Sequence, residues 1–218
     1  MSENPDTITT ARAASTGAWR LIAAALCFIL CYQAVGFVGG AFASSALPLP
    51  NASGAEAQAW YVRNGLSATV SAICQLLSVL CLGLYAAVLR RTGRIDKQAR
   101  WAYAAVAMMV LSCLLSWAMA AYAGSVSAET LGALRTANFI TGGTAHVALL
   151  GVFVLLAAKA GGFGKGIRVF AWVAFVPAVA SVVSLVVFQG AALILLGRLL
   201  CMAWTLVAAI AVARADRR

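Results

Sequence analysis

Five polar side chains interrupt long apolar stretches of this chain and are its candidates for chemistry: Gln33, Gln75, Asn138, His146 and Arg198. An arginine keeps its charge and carries five N–H donors, so it suits an anion, whereas a histidine can relay a proton or bind a metal. No Asp or Glu lies in any apolar stretch. Arg198 therefore needs carbonyls, amide oxygens, water, lipid headgroups or an anionic ligand as partners. We treat the five residues as candidate ligand-binding residues.

Each of these residues also has an ordinary structural explanation. The long side chain of Arg198 could extend to the lipid headgroups, or it could have a structural role inside the protein. Gln33 and Gln75 are typical of hydrogen bonds between neighbouring helices. His146 is the single histidine of the chain, and a lone histidine among apolar residues is typical of a hydrogen bond to a neighbouring helix. The sequence leaves these alternatives open.

The residue sets that catalysis requires do not occur in a recognisable pattern. All six acidic residues lie in tails or loops, and no two of them form a catalytic pair. A single histidine excludes a haem with two histidine ligands. The six cysteines form no Cys-x-x-Cys motif and have no His-x-x-x-His motif beside them. The sequence predicts no enzymatic activity, no cofactor and no metal site.

The elements that must position the polar residues are six apolar stretches of about 20 residues or more, enough for a helix to cross about 30 Å of hydrocarbon. They cover residues 21–43, 66–89, 101–123, 137–158, 167–188 and 191–213. The hydrophobic fraction is 63% and the charged fraction 10%, which excludes an ordinary soluble domain. Barrel strands would alternate apolar and polar residues. The prediction is an all-α transmembrane bundle of six helices over 18–218, preceded by a flexible cytoplasmic tail over 1–17.

The net charge of +10 is distributed unevenly among the loops. Thirteen of the sixteen basic residues fall in the two termini and in alternate loops: Arg12, Arg20, Arg90, Arg91, Arg94, Lys97, Arg100, Lys159, Lys165, Arg168, Arg214, Arg217 and Arg218. The positive-inside rule then places both termini and the loops 90–100 and 159–166 in the cytoplasm. This pattern favours anionic lipid headgroups over nucleic acid as the partner of the basic loops. Arginine outnumbers lysine 13 to 3, which indicates a GC-rich bacterial genome and the bacterial inner membrane.

Several local patterns predict where helices begin, bend or pack. Residues 53–56 read Ser-Gly-Ala-Glu, a capping box that predicts a helix start outside the membrane. Ser127 predicts a second such start. Pro177 predicts a kink, and Gly142–Gly143 predicts a bend or a close contact. Gly36-x-x-x-Gly40 is a small-residue motif of the kind that mediates contacts between membrane helices.

The last apolar stretch resembles a known family. Residues 195–204 read Leu-Leu-Gly-Arg-Leu-Leu-Cys-Met-Ala-Trp. This segment resembles the last span of a family of small bacterial multi-pass membrane proteins of unknown function. In that family the charged residue of the segment is usually acidic, whereas this chain has Arg198. The resemblance implies a multi-pass membrane protein and no particular activity.

The predicted topology brings the polar residues to similar depths. At about 1.5 Å per residue, Gln33, Gln75 and His146 lie roughly 12–18 Å from a membrane face, and Arg198 lies about 10 Å below the outer face. We predict that these side chains point inward. The leading hypothesis is a non-enzymatic membrane protein that binds a small hydrophobic or amphipathic molecule in the outer half of the bundle. The alternatives are an accessory subunit, with a membrane protein or a second copy as its partner, and a transporter or channel.

Overall fold

The computed structural model describes the backbone of residues 5–215 and the side chains of residues 17–215 except residue 188. Within this range the chain is helical and contains six helices long and apolar enough to cross a membrane. The α-helices are α1 (Pro5–Ala41), α2 (Gly54–Arg91), α3 (Ala99–Tyr122), α4 (Ala128–Asn138), α5 (His146–Ala160), α6 (Lys165–Ala180) and α7 (Ala191–Ala215). The prediction of an all-α bundle with six spans is confirmed.

Three of the six spans depart from a single regular α-helix. The second span, α2, is kinked at Asn64, whose φ of −121° and ψ of 25° are not helical. A π-helix, Phe139–Ala145, joins α4 to α5, so that residues 128–160 form one continuous span. The fifth span continues beyond α6 as a 3₁₀ segment, Ser181–Leu185. This change of helix type comes shortly after Pro177, which lacks the N–H of a regular helix. A short 3₁₀ segment, Phe188–Gly190, leads into α7.

The first helix begins at Pro5, so the backbone is helical over most of the segment 1–17. The three alanines of this segment favour the helical state, and no proline or glycine interrupts the chain between residues 6 and 16. Residues 1–4, which belong to the predicted flexible tail, lie outside the described residues. The flexibility of the tail stays a prediction.

Both predicted helix starts are confirmed. The Ser53 hydroxyl accepts a hydrogen bond from the Glu56 backbone N–H at 3.2 Å, and the Glu56 carboxylate accepts one from the Ser53 N–H at 2.9 Å. The Ser127 hydroxyl accepts a hydrogen bond from the Thr130 N–H at 3.1 Å. These bonds satisfy N–H groups that a helix end leaves without partners. We call the end of the bundle with residues 42–61 and 122–131 the capped end, and the opposite end the basic end.

Replacing Ser53 with alanine is expected to lower the free energy of unfolding by about 1 kcal/mol, because α2 loses its capping hydroxyl. Thermal unfolding in a mild detergent measures the change. Ser125→Ala is the matched control, since Ser125 is an exposed loop serine whose hydroxyl caps no helix start. Equal unfolding temperatures for the two variants would contradict the capping role.

The glycine of α1 that packs against α2 is Gly39, which is not one of the two glycines of the Gly36-x-x-x-Gly40 motif. A Cβ atom added to Gly39 would lie 2.2 Å from the Ser71 hydroxyl, and the Ser67 hydroxyl donates to the Gly39 carbonyl at 2.7 Å. Gly36 and Gly40 are exposed, with open space where their Cβ atoms would be. The predicted Gly36-x-x-x-Gly40 contact is therefore not a contact within this bundle. Each residue turns a helix by about 100°, so Gly39 faces α2 and its neighbour Gly40 does not.

α5, α6 and α7 approach one another closely at Ala178. A Cβ atom added to Gly197 would lie 2.5 Å from the Ala178 Cα atom, and one added to Gly151 would lie 2.6 Å from the Ala178 Cβ atom. Small residues let membrane helices pack backbone to backbone in this way. Because Gly197 directly precedes Arg198, this contact also fixes the position of the arginine.

Candidate functional site

Arg198 is buried inside the bundle. Its side chain is 7% exposed. Its Nη1 donates to the Tyr32 hydroxyl at 3.0 Å, and its guanidinium carbon lies 4.9 Å from the centre of the Tyr32 ring. Its Nη2 donates to the Gly142 carbonyl oxygen. Of the sequence alternatives for this residue, extension to the lipid headgroups is therefore excluded.

The Gly142 carbonyl belongs to the π-helix Phe139–Ala145. Such segments are uncommon and occur frequently at functional sites. A Cβ atom added to Gly142 would lie 2.1 Å from the Ser112 hydroxyl of α3. Glycine at this position thus allows the backbone that accepts the Arg198 hydrogen bond to pack against α3, and the close contact predicted for Gly142–Gly143 is present.

Asn138 connects the end of α4 to α3. Its amide nitrogen donates to the Ser112 carbonyl at 2.7 Å, and it lies 3.0 Å from the Ser112 hydroxyl and 2.9 Å from the Ser116 hydroxyl. The donors of this amide are therefore used in contacts between helices. Its Oδ1 accepts no hydrogen bond from the described part of the chain.

A cavity of about 250 Å³ lies beside Arg198. Its polar lining consists of Tyr32, Gln75, Ser112, Asn138 and Arg198. Gln75 is half-buried and forms no hydrogen bond with another described residue. The amide of Gln75 is therefore a free donor and acceptor at the cavity.

The remaining wall of the cavity is apolar and reaches the surface of the bundle. It includes Ile194 and Leu195 of α7. Leu195 is 54% exposed, so the cavity extends from a buried charge to the surface that faces lipid.

A second cavity of about 360 Å³ lies towards the capped end. Its lining includes Ser45, Trp60, Ser67 and Ser71, and the loop around residues 45–47 forms part of its wall. Gln75 and Asn138 line both cavities. The two spaces therefore adjoin at these amides.

The structure brings together three of the five candidate residues: Gln75, Asn138 and Arg198 line the same cavity. His146 is 1% exposed, and its Nδ1 lies 2.9 Å from the Ala105 carbonyl oxygen. It lines neither of the two cavities. The sequence allowed either a ligand-binding role for His146 or a hydrogen bond to a neighbouring helix. The structure contains the hydrogen bond.

Gln33 is exposed on the outside of α1, and the prediction that it points inward is wrong. The preceding residue, Tyr32, takes the inward position and contacts Arg198. Sequence reasoning missed Tyr32 because an aromatic ring in an apolar stretch is usually a packing residue. Its phenolic hydroxyl in the middle of a span was the signal that could have identified it, since such a group needs a hydrogen-bond partner there.

The side chains that line this site can form hydrogen bonds with a ligand. They comprise one guanidinium, two amides and two hydroxyls. Among the described residues no group of three or more His, Cys, Asp or Glu side chains is placed to hold a metal ion. The site can bind a group that accepts hydrogen bonds beside an apolar surface.

The six apolar helices define a multi-pass integral membrane protein, with a polar cavity between its helices. Comparison of the chain with protein-family models, with curated proteins and with solved structures finds no match. The resemblance of residues 195–204 to a family of multi-pass proteins stays an expectation from the sequence.

Proposed function

We propose that this protein is a non-enzymatic protein of the bacterial inner membrane that binds a small hydrophobic or amphipathic molecule in the cavity beside Arg198. The observation that carries the proposal is the burial of the Arg198 guanidinium at the wall of a 250 Å³ cavity that extends to the apolar surface of the bundle. Charged and polar groups inside membrane proteins are costly, and they concentrate at functional sites.

The unused hydrogen-bonding groups support binding over a purely structural role. A residue that only connects helices should find its partners within the protein. Gln75 has no such partner among the described residues, although it lines the same cavity as Asn138. A bound molecule would satisfy the Gln75 amide and fill space that packing leaves open.

The packing of the rest of the bundle favours binding over conduction. On the side of the basic end the interior is filled by large, fully buried side chains, among them Leu82, Tyr85 and Phe153. Tyr85 and Phe153 pack edge to face with their ring centres 6.5 Å apart. A transporter or channel would need a polar path through this region.

Native mass spectrometry of protein purified in a mild detergent tests the proposal. The wild-type protein is expected to retain a bound mass, and Arg198→Met is expected to lose it. Gln33→Leu is the matched control, because Gln33 is a polar residue of the spans that lies outside the cavity. A bare wild-type protein, or an equal bound mass on the Arg198 variant, would remove the basis for the site.

A topology with both termini in the cytoplasm is part of the proposal, and the basic residues of the alternate loops support it. A green fluorescent protein fused after the last residue is expected to fluoresce in a bacterial host, whereas alkaline phosphatase at the same point is expected to be inactive. Phosphatase inserted in the loop after Ala46 should be active. The opposite pattern of activities would show that both termini lie outside the cytoplasm.

The accessory-subunit alternative is favoured by one surface. Gly36 and Gly40 form an exposed small-residue face on α1, and the large side chain of Phe37 beside them is also exposed. Such faces allow close packing of a second membrane helix. This alternative would replace the proposal under two conditions together. A membrane protein that co-purifies with the wild type must be lost in Gly36→Leu, and the wild type must carry no bound small molecule.

A further inference from the structure

Arg198 has no counter-charge in the described part of the protein. The ion pair found among the described side chains joins Arg90 and Asp96, 3.2 Å apart, at the basic end. The chain has six acidic residues, all outside the apolar stretches. The positive charge is therefore balanced by neutral dipoles within the described structure.

These neutral partners leave part of the guanidinium unsatisfied. The Tyr32 hydroxyl and the Gly142 carbonyl accept hydrogen bonds from Nη1 and Nη2, while Nε has no partner among the described residues. A guanidinium carries five N–H groups in a planar fork that matches the oxygens of carboxylate and phosphate. The usual way to stabilise such a buried charge is an anion with hydrogen bonds to the same fork.

The other donors at the cavity limit the size of that anion. Asn138 uses its amide nitrogen in the contacts with Ser112 and Ser116, and the Ser112 hydroxyl lies within hydrogen-bond distance of the Asn138 carbonyl at 3.4 Å. The amide of Gln75 and the O–H group of Tyr32, whose oxygen accepts from Arg198, remain as neutral donors. Arg198 and Gln75 together suit one compact oxyanion rather than a polyanion.

The shape of the cavity indicates what is attached to the anion. Leu195 lines the cavity and is exposed, and the neighbouring Leu196 and Leu199 are exposed on the same helix. An alkyl chain that leaves the cavity past Leu195 would lie along an apolar surface in the hydrocarbon of the membrane. Burying this chain is favourable by about 0.8 kcal/mol per CH₂ group.

On these grounds, and resting on the binding function proposed above, we infer that the ligand is an anionic amphiphile. Its oxyanion, a carboxylate or a phosphate, binds Arg198 and Gln75, and its alkyl chain leaves the bundle past Leu195. Tyr32 positions the guanidinium by accepting a hydrogen bond from Nη1 and by placing its ring against it.

Matched pairs of amphiphiles test this inference. Delipidated protein in a neutral detergent is incubated with oleate or oleyl alcohol, and with phosphatidylglycerol or diacylglycerol, and retained masses are counted by native mass spectrometry. The anionic member of a pair is expected to bind about 10- to 100-fold more tightly than the neutral member, the range for a hydrogen bond to a charged group. Inorganic phosphate is tested as a separate probe, and its binding would indicate that the ligand is a soluble anion.

Variants assign the preference to the named residues. Arg198→Met should bind both members of a pair equally, and Gln75→Leu should weaken the anionic member while keeping the fold. Gln33→Leu should behave as the wild type. The Gln75 variant keeps the test decisive if Arg198→Met does not fold.

The possible failures are distinguishable. Equal binding of the anionic and neutral amphiphiles to the wild type would overturn the oxyanion inference and leave the binding function standing. Binding of inorganic phosphate but of no amphiphile would overturn the alkyl-chain part. If no probe binds and the protein purified from membranes is also bare, the proposed function itself fails.

Discussion

Replacing Gly197 with alanine is expected to lower the free energy of unfolding by about 2 kcal/mol, within the usual range for overpacking a core. The added Cβ atom would lie 2.5 Å from Cα and 2.7 Å from N of Ala178. Both are backbone atoms, so no side-chain rotation can relieve the contact and α6 and α7 must separate. Because Arg198 follows directly, its hydrogen bonds to Tyr32 and Gly142 should weaken as well. Thermal unfolding in detergent measures the loss.

Three further substitutions make this expectation specific. Gly36→Ala adds the same methyl group in a membrane helix where nothing lies within 4 Å, so it should leave stability unchanged or raise it slightly. Gly151→Ala meets mainly the Ala178 methyl group, 2.6 Å away. Gly151→Ala alone should lower the free energy of unfolding, and adding Ala178→Gly should restore it. Adding Ala178→Gly to Gly197→Ala should not restore the free energy of unfolding. Rescue of both variants, or of neither, would show that the packing at Ala178 differs from this description.

Replacing Arg135 with methionine is expected to release the loop between α1 and α2. Arg135 is 8% exposed, and its Nη2 donates to the carbonyls of Pro48 and Leu49. A hydrogen bond to a charged group contributes about 1.5–3 kcal/mol, so exchange of the Ala52 amide, which donates to the Leu49 carbonyl at 2.8 Å, should accelerate by about 10- to 100-fold. Hydrogen–deuterium exchange mass spectrometry on peptides from this loop measures the rate.

The beginning of the same loop should respond less, because separate contacts hold it. Asn64 Oδ1 accepts from the Ser44 N–H at 2.7 Å, and Trp60 Nε1 donates to the Ser45 carbonyl at 3.0 Å. Arg63→Met is the control, since Arg63 is exposed and donates within its own helix, to the Ala59 carbonyl. Unchanged exchange in the Arg135 variant would mean that the loop is held by other contacts.

The six membrane-spanning helices and the two capped helix starts at Ser53 and Ser127 followed from the sequence, because both features depend on local chemistry. Lipid offers the backbone no hydrogen-bond partners, so a long apolar segment must be helical. Ser53 and Glu56 form a motif within four residues, and their bonds depend on nothing distant. These features need no knowledge of how the helices face one another.

The orientation of each helix about its axis did not follow from the sequence. A helix that is apolar on all sides offers no polar face from which its buried side can be identified. The choice between Tyr32 and Gln33 on α1 is an example: the residue with the more polar side chain is exposed, and its neighbour contacts Arg198. The sequence favoured a hydrogen bond from His146 to a neighbouring helix but could not identify the partner, because that partner is the backbone carbonyl of Ala105, and every residue of the chain carries a carbonyl.

The π-helix between α4 and α5 has a consequence for the register of that span against α3. Asn138 contacts Ser112 and His146 contacts Ala105. Asn138 and His146 are therefore eight residues apart in their span, whereas their partners are seven residues apart in α3. In regular helices these separations would be about 12 Å and about 10.5 Å. The wider turns of residues 139–145 accommodate the extra residue. They allow Asn138 and His146 to contact the same face of α3. The π-helix therefore sets the spacing of the two contacts, and a chain with one residue fewer between Asn138 and His146 would lose one of them.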